Sequence, residues 1–376
     1  MTHSADILVI GAGIAGASAA FGLAPRRRVV VLEREAQPGY HTTGRSAAQF
    51  AEAFGNNVIR RLAMASRGFF ERPPAGFASR PVMTPRASLV VARPGQETEL
   101  EAERKACAGL GVSVDLLDEA GCRRLFPPLV EGVYSGGLNE PGAGDLDVDA
   151  ILNGYLRGAR AAGAGLVVGA EVGGLERKDG LWRATTPSGD FRAPIVIDAA
   201  GAWADVVAGL AGVRPLCLVP KRRTAFVFAA PVVDSSSWAH TGDADETWYV
   251  KPQPGAFMAS LSDATPSPPC DAWPEDLDVA QAAYNIEQAT SLRIGRPGRA
   301  WAGLRSFLPD GAPAAGFAPD AEGFFWLAGQ GGVGILTSPA MGRAAAGLIE
   351  TGDLPAELRD LGLTAKALGT ARFGAP

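Results

Sequence analysis

Cysteine and histidine are scarce in this 376-residue chain: Cys107, Cys122, Cys217 and Cys270 share no Cys-x-x-Cys spacing, and only three histidines accompany them. That composition excludes zinc and iron–sulfur centres, and widely spaced thiols point to a reducing compartment, the cytoplasm. Positive charge is not in excess either. Thirty-five Lys and Arg against 40 Asp and Glu leave a formal charge of −5, the wrong field for nucleic acid and one that allows at most peripheral contact with a membrane. Long apolar runs are missing except at residues 7–24. There, three glycines within six residues, preceded by Asp6 rather than a basic leader, read as a buried strand and turn, not as a signal peptide or a membrane span. Short-period repeats are absent, and the Pro-rich stretch at 266–269 reads as a surface loop.

What is present describes a globular enzyme with a sizeable core. The apolar fraction is 47% and the charged fraction 20%, and the length exceeds one ordinary core, so two domains are expected. Apolar runs rich in Val and Ile at 7–10, 29–32, 166–168 and 195–197 alternate with helical patterns, as parallel strands covered on both faces do. Alternating strands at 224–228 and 248–250, separated by Pro-rich turns, belong to a different, antiparallel unit. The expected division is a doubly wound α/β domain from residues 1–80, 134–219 and 305–376. An α+β domain with a mainly antiparallel sheet then takes residues 81–133 and 220–304.

Gly11-Ala12-Gly13-Ile14-Ala15-Gly16 follows the first strand and opens a helix. In this G-x-G-x-x-G turn the first glycine permits the tight bend, the second lets a pyrophosphate approach the backbone, and the third packs helix on strand. The helix N-terminus favours the anion. Glu33 ends the second strand at about the 20-residue spacing at which a carboxylate accepts from ribose hydroxyls. Together these make a dinucleotide site of Rossmann type. Near the other end, an apolar strand at 324–327 leads through Gly329-Gln330-Gly331-Gly332-Val333-Gly334 into an Ala-rich helix, a second turn that aims amides and a positive dipole at whatever lies above it.

Three segments carry a family resemblance. Gly39-Tyr40-His41-Thr42-Thr43-Gly44-Arg45-Ser46-Ala47-Ala48 resembles the loop after the acidic residue in the D-amino acid oxidase superfamily of flavoproteins. Val196-Ile197-Asp198-Ala199-Ala200-Gly201-Ala202-Trp203 resembles its second flavin segment, and residues 329–338 its C-terminal turn. Within the superfamily the chain most resembles the bacterial D-arginine dehydrogenases, through residues 29–41, Lys221-Arg222-Arg223 and Ala302-Gly303-Leu304-Arg305-Ser306-Phe307. The resemblance implies FAD. Glu33 and Arg34 would hold the adenosine, with Val172 on the adenine side. Gly44, Arg45, Ser46, Ala47 and Ala48 would sit at the pyrophosphate and flavin, alongside Ala200, Gly201 and Trp203. Gly331, Gly332, Val333, Gly334, Ile335, Leu336 and Thr337 would line the ring. Some relatives tether their flavin through a cysteine near position 304; Leu304 stands here, so the FAD is expected to be non-covalent.

A substrate amino acid needs a cation for its carboxylate, and arginine grips that group with two parallel hydrogen bonds. By the same resemblance Arg305, Arg223, Tyr249 and Gly332 contact the substrate. No general base is assigned, since an unprotonated amine can lose hydride without one. Ser88 replaces the glutamate that faces a cationic side chain in the D-arginine dehydrogenases, and Gln49 and Phe54 replace a lid histidine and tyrosine. The expected activity is oxidative deamination of D-amino acids to 2-oxo acids and ammonia, shifted toward neutral or apolar side chains, with a quinone or oxygen as electron acceptor. Oxidation of N-methyl or cyclic amino acids such as sarcosine or proline is the alternative enzyme, and a flavin-binding subunit the alternative without catalysis.

Overall fold

In the computed structural model, which describes residues 2–229 and 234–374, five short apolar strands lie parallel. Their spatial order is Gly165–Val167, Val29–Leu32, Ile7–Ile10, Ile195–Asp198 and Phe324–Ala328, and Ala314–Phe317 pairs antiparallel at the edge. Side chains alternate between the two faces with the strand period of two. Ile7, Val9, Val31, Ile197, Phe325 and Leu327 pack against helices, whereas Leu8, Ile10, Leu32, Val196, Phe324 and Trp326 pack against a second sheet. Both faces are therefore apolar, which is why these strands read as unbroken apolar runs; each such buried side chain contributes roughly 1.5–3 kcal/mol.

The helical face carries Ile14–Leu23, Val148–Ala161 and Gly334–Thr351. The opposite face is closed mainly by a small sheet of Thr2–Ser4, Gly189–Ala193, Leu181–Thr186 and Gly174–Lys178, which contributes Trp182 and Phe191 to the core. Helices Ile14–Leu23 and Gly334–Thr351 run side by side in the same direction. Gly334 lies near Ile14, and the Gly342 position meets the Ser18 backbone so closely that a Cβ there would come within 2.7 Å of its carbonyl oxygen. Small residues thus let the two helices approach, and both N-termini emerge at the carboxyl ends of the parallel strands. Within the second helix Pro339 offers no amide to the Ile335 carbonyl, and the Ser338 hydroxyl donates to it instead at 2.8 Å.

The second unit is a larger sheet in the order Ala300–Phe307, Val219–Ala229, Ala256–Ser260, Tyr249–Gln253, His240–Asp243, Ser88–Ala92, Gly136–Glu140 and Asp115–Asp118. It is antiparallel except where His240–Asp243 meets Ser88–Ala92. Its extent differs from the sequence division at two places. Gly136–Glu140 lies inside this sheet although residues from 134 were expected in the cofactor domain, and Ala300–Phe307 continues past 304. Glycine hid the first of these strands: a Cβ at Gly137 would sit 2.6 Å from the Val90 carbonyl oxygen, so the strand is bare where a propensity reading looks for branched side chains. A three-stranded sheet of Gln49–Phe50, Gly144–Leu146 and Met83–Pro85 lies between these units.

Candidate cofactor and substrate site

The glycine turn after Ile7–Ile10 has the conformation its sequence demands. Gly11 has φ +100°, and a Cβ there would meet the Ala199 carbonyl oxygen at 2.6 Å; one at Gly16 would overlap the Gly11 carbonyl. Glu33, only 7% exposed, accepts from the Ala12 amide at 2.8 Å and from the Glu35 amide at 2.9 Å. A carboxylate has about four lone-pair sites, so two remain for ribose hydroxyls. The Ile14 amide donates to Thr43 Oγ1 at 3.0 Å, while the rest of the first turn has no intrahelical acceptor.

Two adjoining open cavities share Gly13, Thr42, Thr43, Ala199 and Gly201, forming one trough that crosses the strand ends. The first runs over Glu33, Arg34, Val172, Ala200 and Trp203. Trp203 is flanked by His41, with ring centroids 4.6 Å apart, and by the Arg34 guanidinium at 4.8 Å. The second cavity is lined by Ile14, Ala15, Arg45 and Ser46 on one side and by Gly331, Gly332, Gly334 and Ile335 on the other. Two helix N-termini thus face the same space, a setting that favours an anion. Two buried polar atoms in this wall, Gln330 Nε2 and Ser306 Oγ, have no protein partner among the described residues. A flavin pyrimidine edge, rich in carbonyl and ring-nitrogen groups, matches such orphans.

The far end of the second cavity brings together Arg223, Tyr249, Arg305 and Gly332. Arg223 pairs with Gly303, and Arg305 with Lys221, so the two arginines are diagonal neighbours on one face of adjacent strands. Arg223 Nε donates to the Asp263 carbonyl at 2.6 Å. Burial first, and then the neighbouring Arg305 charge, pull the Arg223 guanidinium down to about 10. No carboxylate pairs with either guanidinium among the described residues. Asp263 and Glu246 act on Arg223 only through longer-range charge, so the pair is a cationic spot facing the cavity. No Asp, Glu or His lines this cavity. Behind Tyr249, His240 is held neutral, its imidazole pushed down to about 3 by burial and by the Lys251, Arg86 and Arg305 charges.

Other expected residues are placed differently. Arg45 borders the trough, and its guanidinium donates to the carbonyls of Ala272 and Ala302, each at 2.9 Å, and pairs with Asp271 at 2.5 Å, which uses three of its five N–H groups. Gly44 shapes its loop by donating to the Gly39 carbonyl. Val333, Leu336 and Thr337 are core residues, and the Thr337 hydroxyl donates to the Val333 carbonyl. Ala47, Ala48, Gly16, Ser88, Gln49 and Phe54 line neither cavity. Ser88 lies beside His240 in the sheet, Gln49 beside Asp145, and Phe54 is half exposed on the surface. Sequence reasoning missed Thr43, Gln330, Asp271 and Lys251, whose roles arise from contacts across the fold. Asp271 also receives the Tyr40 hydroxyl at 3.1 Å, so the 266–273 segment is tied across the loop at 40–45. Among the described residues no cluster of His, Cys, Asp and Glu could hold a metal, and no helix is long and apolar enough to cross a membrane.

The sequence profile of the DAO family, described as FAD dependent oxidoreductase, matches residues 6–348. The chain belongs to that family. Its cofactor is FAD, and the residues of the trough fit it. Glycine oxidase of Geobacillus kaustophilus (strain HTA426) is 25% identical over 97% of this chain and 98% of its own. Human mitochondrial sarcosine dehydrogenase is 27% identical over 63% of this chain, which corresponds to 27% of that longer protein. Among solved structures, L-proline dehydrogenase from P. horikoshii superposes with a TM-score of 0.87 at 21% identity, covering 99% of this chain and 98% of that one, a likeness of fold.

Proposed function

We propose that this FAD-dependent oxidoreductase oxidises D-amino acids at the Cα–N bond, the resulting imino acid hydrolysing to a 2-oxo acid and ammonia. The observation that carries the reading is the Arg223–Arg305 pair with Tyr249 and no acid in the cavity lining, an anion clamp at the end of the flavin trough. Bound FAD supplies the hydride acceptor. Arg305 and Arg223 fix the carboxylate, and Tyr249 borders it. Two adjacent cations disfavour an ammonium, so the amine is held unprotonated, and with no acid or imidazole in the lining the proton goes to solvent before hydride leaves. The helix N-terminus at Gly334 stabilises negative charge that develops on the acceptor side.

A neutral or apolar side chain fits this cavity better than a basic one. A lysine or arginine side chain would meet two guanidiniums and, with no Asp or Glu in the lining, no compensating charge. The D configuration and a quinone or other acceptor in preference to oxygen rest on resemblance to those enzymes, as does non-covalent FAD, which is supported by the absence of cysteine from both cavity linings among the described residues. Oxidation of glycine, N-methyl or cyclic amino acids is a second reading, favoured by the likeness to glycine oxidase and sarcosine dehydrogenase. Product analysis separates them. Neutral D-amino acids should release ammonia and a 2-oxo acid; turnover restricted to sarcosine, proline or glycine would replace the first reading with the second.

A further inference from the structure

Lys251 stands two residues after Tyr249 on the strand Tyr249–Gln253, and so projects from the same face. It is 6% exposed, and its Nζ donates to the carbonyls of Ala47 at 2.8 Å and Ala48 at 3.3 Å and ion-pairs with Asp145 at 3.0 Å. Asp145 is also held by Arg86 at 2.5 Å, and the Arg86 guanidinium continues to the carbonyl of Trp238 at 2.6 Å. A buried lysine is costly unless its charge and protons find partners, and here two carbonyls accept from it and the Asp145 carboxylate lies beside it.

The loop it grips borders the flavin end of the trough. Ser46, one residue before Ala47, lines the cavity, and Ala48 has φ +57°, a left-handed conformation that a non-glycine residue adopts only under constraint. The constraint is visible: the Ala48 amide donates to Ser46 Oγ at 3.0 Å, the Leu146 amide donates to the Ala48 carbonyl, and Lys251 holds the carbonyls of both residues. Asp145, Arg86 and Lys251 together carry one net positive charge, and no other acid pairs with them among the described residues. Burial pulls the Lys251 ammonium below the ordinary lysine range, and the Asp145 carboxylate opposes that pull.

We propose that Lys251 is a positioning residue of the flavin centre. It fixes the loop at residues 45–49, which reaches the cavity through Arg45 and Ser46, and places behind that loop a positive charge, moderated by Asp145, that raises the flavin's tendency to accept electrons. A nearby cation stabilises the reduced flavin anion, so the sign of the effect follows from Coulomb's law. Removing Lys251 should lower the reduction potential of bound FAD. Removing the Asp145 charge, which leaves the cations less compensated, should raise it. A purely structural role predicts no such opposition.

The test is the potential of the purified, FAD-loaded protein, measured by dye equilibration without substrate and therefore independent of which amino acid it oxidises. Lys251→Met, Lys251→Arg and Asp145→Asn are compared with the parent, with FAD affinity measured alongside. The expected result is a lower potential and at least tenfold weaker FAD binding in Lys251→Met, near-parent values in Lys251→Arg, and a raised potential in Asp145→Asn. The proposal is overturned if Lys251→Met and Asp145→Asn shift the potential in the same direction, or if neither shifts it. Should Lys251→Met fail to fold, Asp145→Asn and Lys251→Arg still decide: a lowered or unchanged potential in Asp145→Asn, or a lowered one in Lys251→Arg, refutes the role.

Discussion

Arg305→Met strips one charge from the carboxylate clamp while keeping most of the side chain's volume. In the parent, two guanidiniums with no salt-bridged carboxylate converge on the end of the trough, and burial, then the Arg305 charge, pull Arg223 down to about 10. A substrate carboxylate relieves that repulsion as well as accepting hydrogen bonds. Losing the Arg305 half removes charged hydrogen bonds worth about 1.5–3 kcal/mol each. Arg223, freed of its neighbour, returns toward its ordinary range and retains the other half. The net loss is about 3–4 kcal/mol, or roughly a 100- to 1,000-fold weaker substrate Kd, since about 1.4 kcal/mol is tenfold. The carboxylate takes no part in bond breaking, so the grip is the same in ground and transition states and the limiting rate of flavin reduction should change less than about tenfold. Anaerobic stopped-flow reduction across substrate concentrations separates the two quantities. A Kd within about fivefold of the parent, in a variant with full FAD content, would refute a clamp built on Arg305.

Three further outcomes follow from the geometry. Glu33→Gln keeps the shape of the adenosine site but removes the charge that holds ribose hydroxyls, so FAD titration of the apoprotein should show affinity weakened by about 1–3 kcal/mol, and unchanged affinity would remove Glu33 from the site. Asp271, although burial raises its carboxyl, is held below the ordinary aspartate range by Arg45 and Tyr40; its contribution is present above that range and lost as pH falls through the lower folded value. Acid-induced FAD release should therefore begin at higher pH in Asp271→Asn, and identical release curves would mean that the 266–273 segment does not retain the cofactor. His240 is neutral when folded down to about 3 but protonates near 6.5 when unfolded. Between those values the unfolded state binds the extra proton, so stability falls with falling pH by up to about 1.4 kcal/mol per unit. Urea unfolding of His240→Phe should show a shallower acid slope below pH 6.5 than the parent, and equal slopes would show that the imidazole is solvated.

The parallel strands were legible because burial on both faces writes an unbroken apolar run, and the dinucleotide turn because each glycine answers a steric demand at Gly11 and Gly16. Less could be read of what closes the second face. Gly174–Lys178, Leu181–Thr186 and Gly189–Ala193 are polar on their outer side and short, so they resemble loops. The arginine pair was named by resemblance, but its lack of an acidic partner appears only when strands Val219–Ala229 and Ala300–Phe307 are brought into register. Arg45 illustrates the opposite case. Its position beside the trough follows from the loop, yet its guanidinium turns to Asp271, 226 residues away, which no local pattern announces. Lys251 was hidden for the same reason, since its partners at Ala47 and Asp145 come from two other segments. Ser88, Gln49 and Phe54, which the resemblance puts against the substrate, lie outside the cavity wall.

The most direct test of the whole account is anaerobic mixing of the purified protein with D-, L- and N-methyl amino acids, with the visible absorbance of the oxidised flavin as readout. The account predicts a yellow protein that neutral D-amino acids bleach, D-arginine and L-enantiomers trailing well behind. A yellow protein that no amino acid bleaches would contradict the assigned chemistry and leave a flavin-binding subunit in its place.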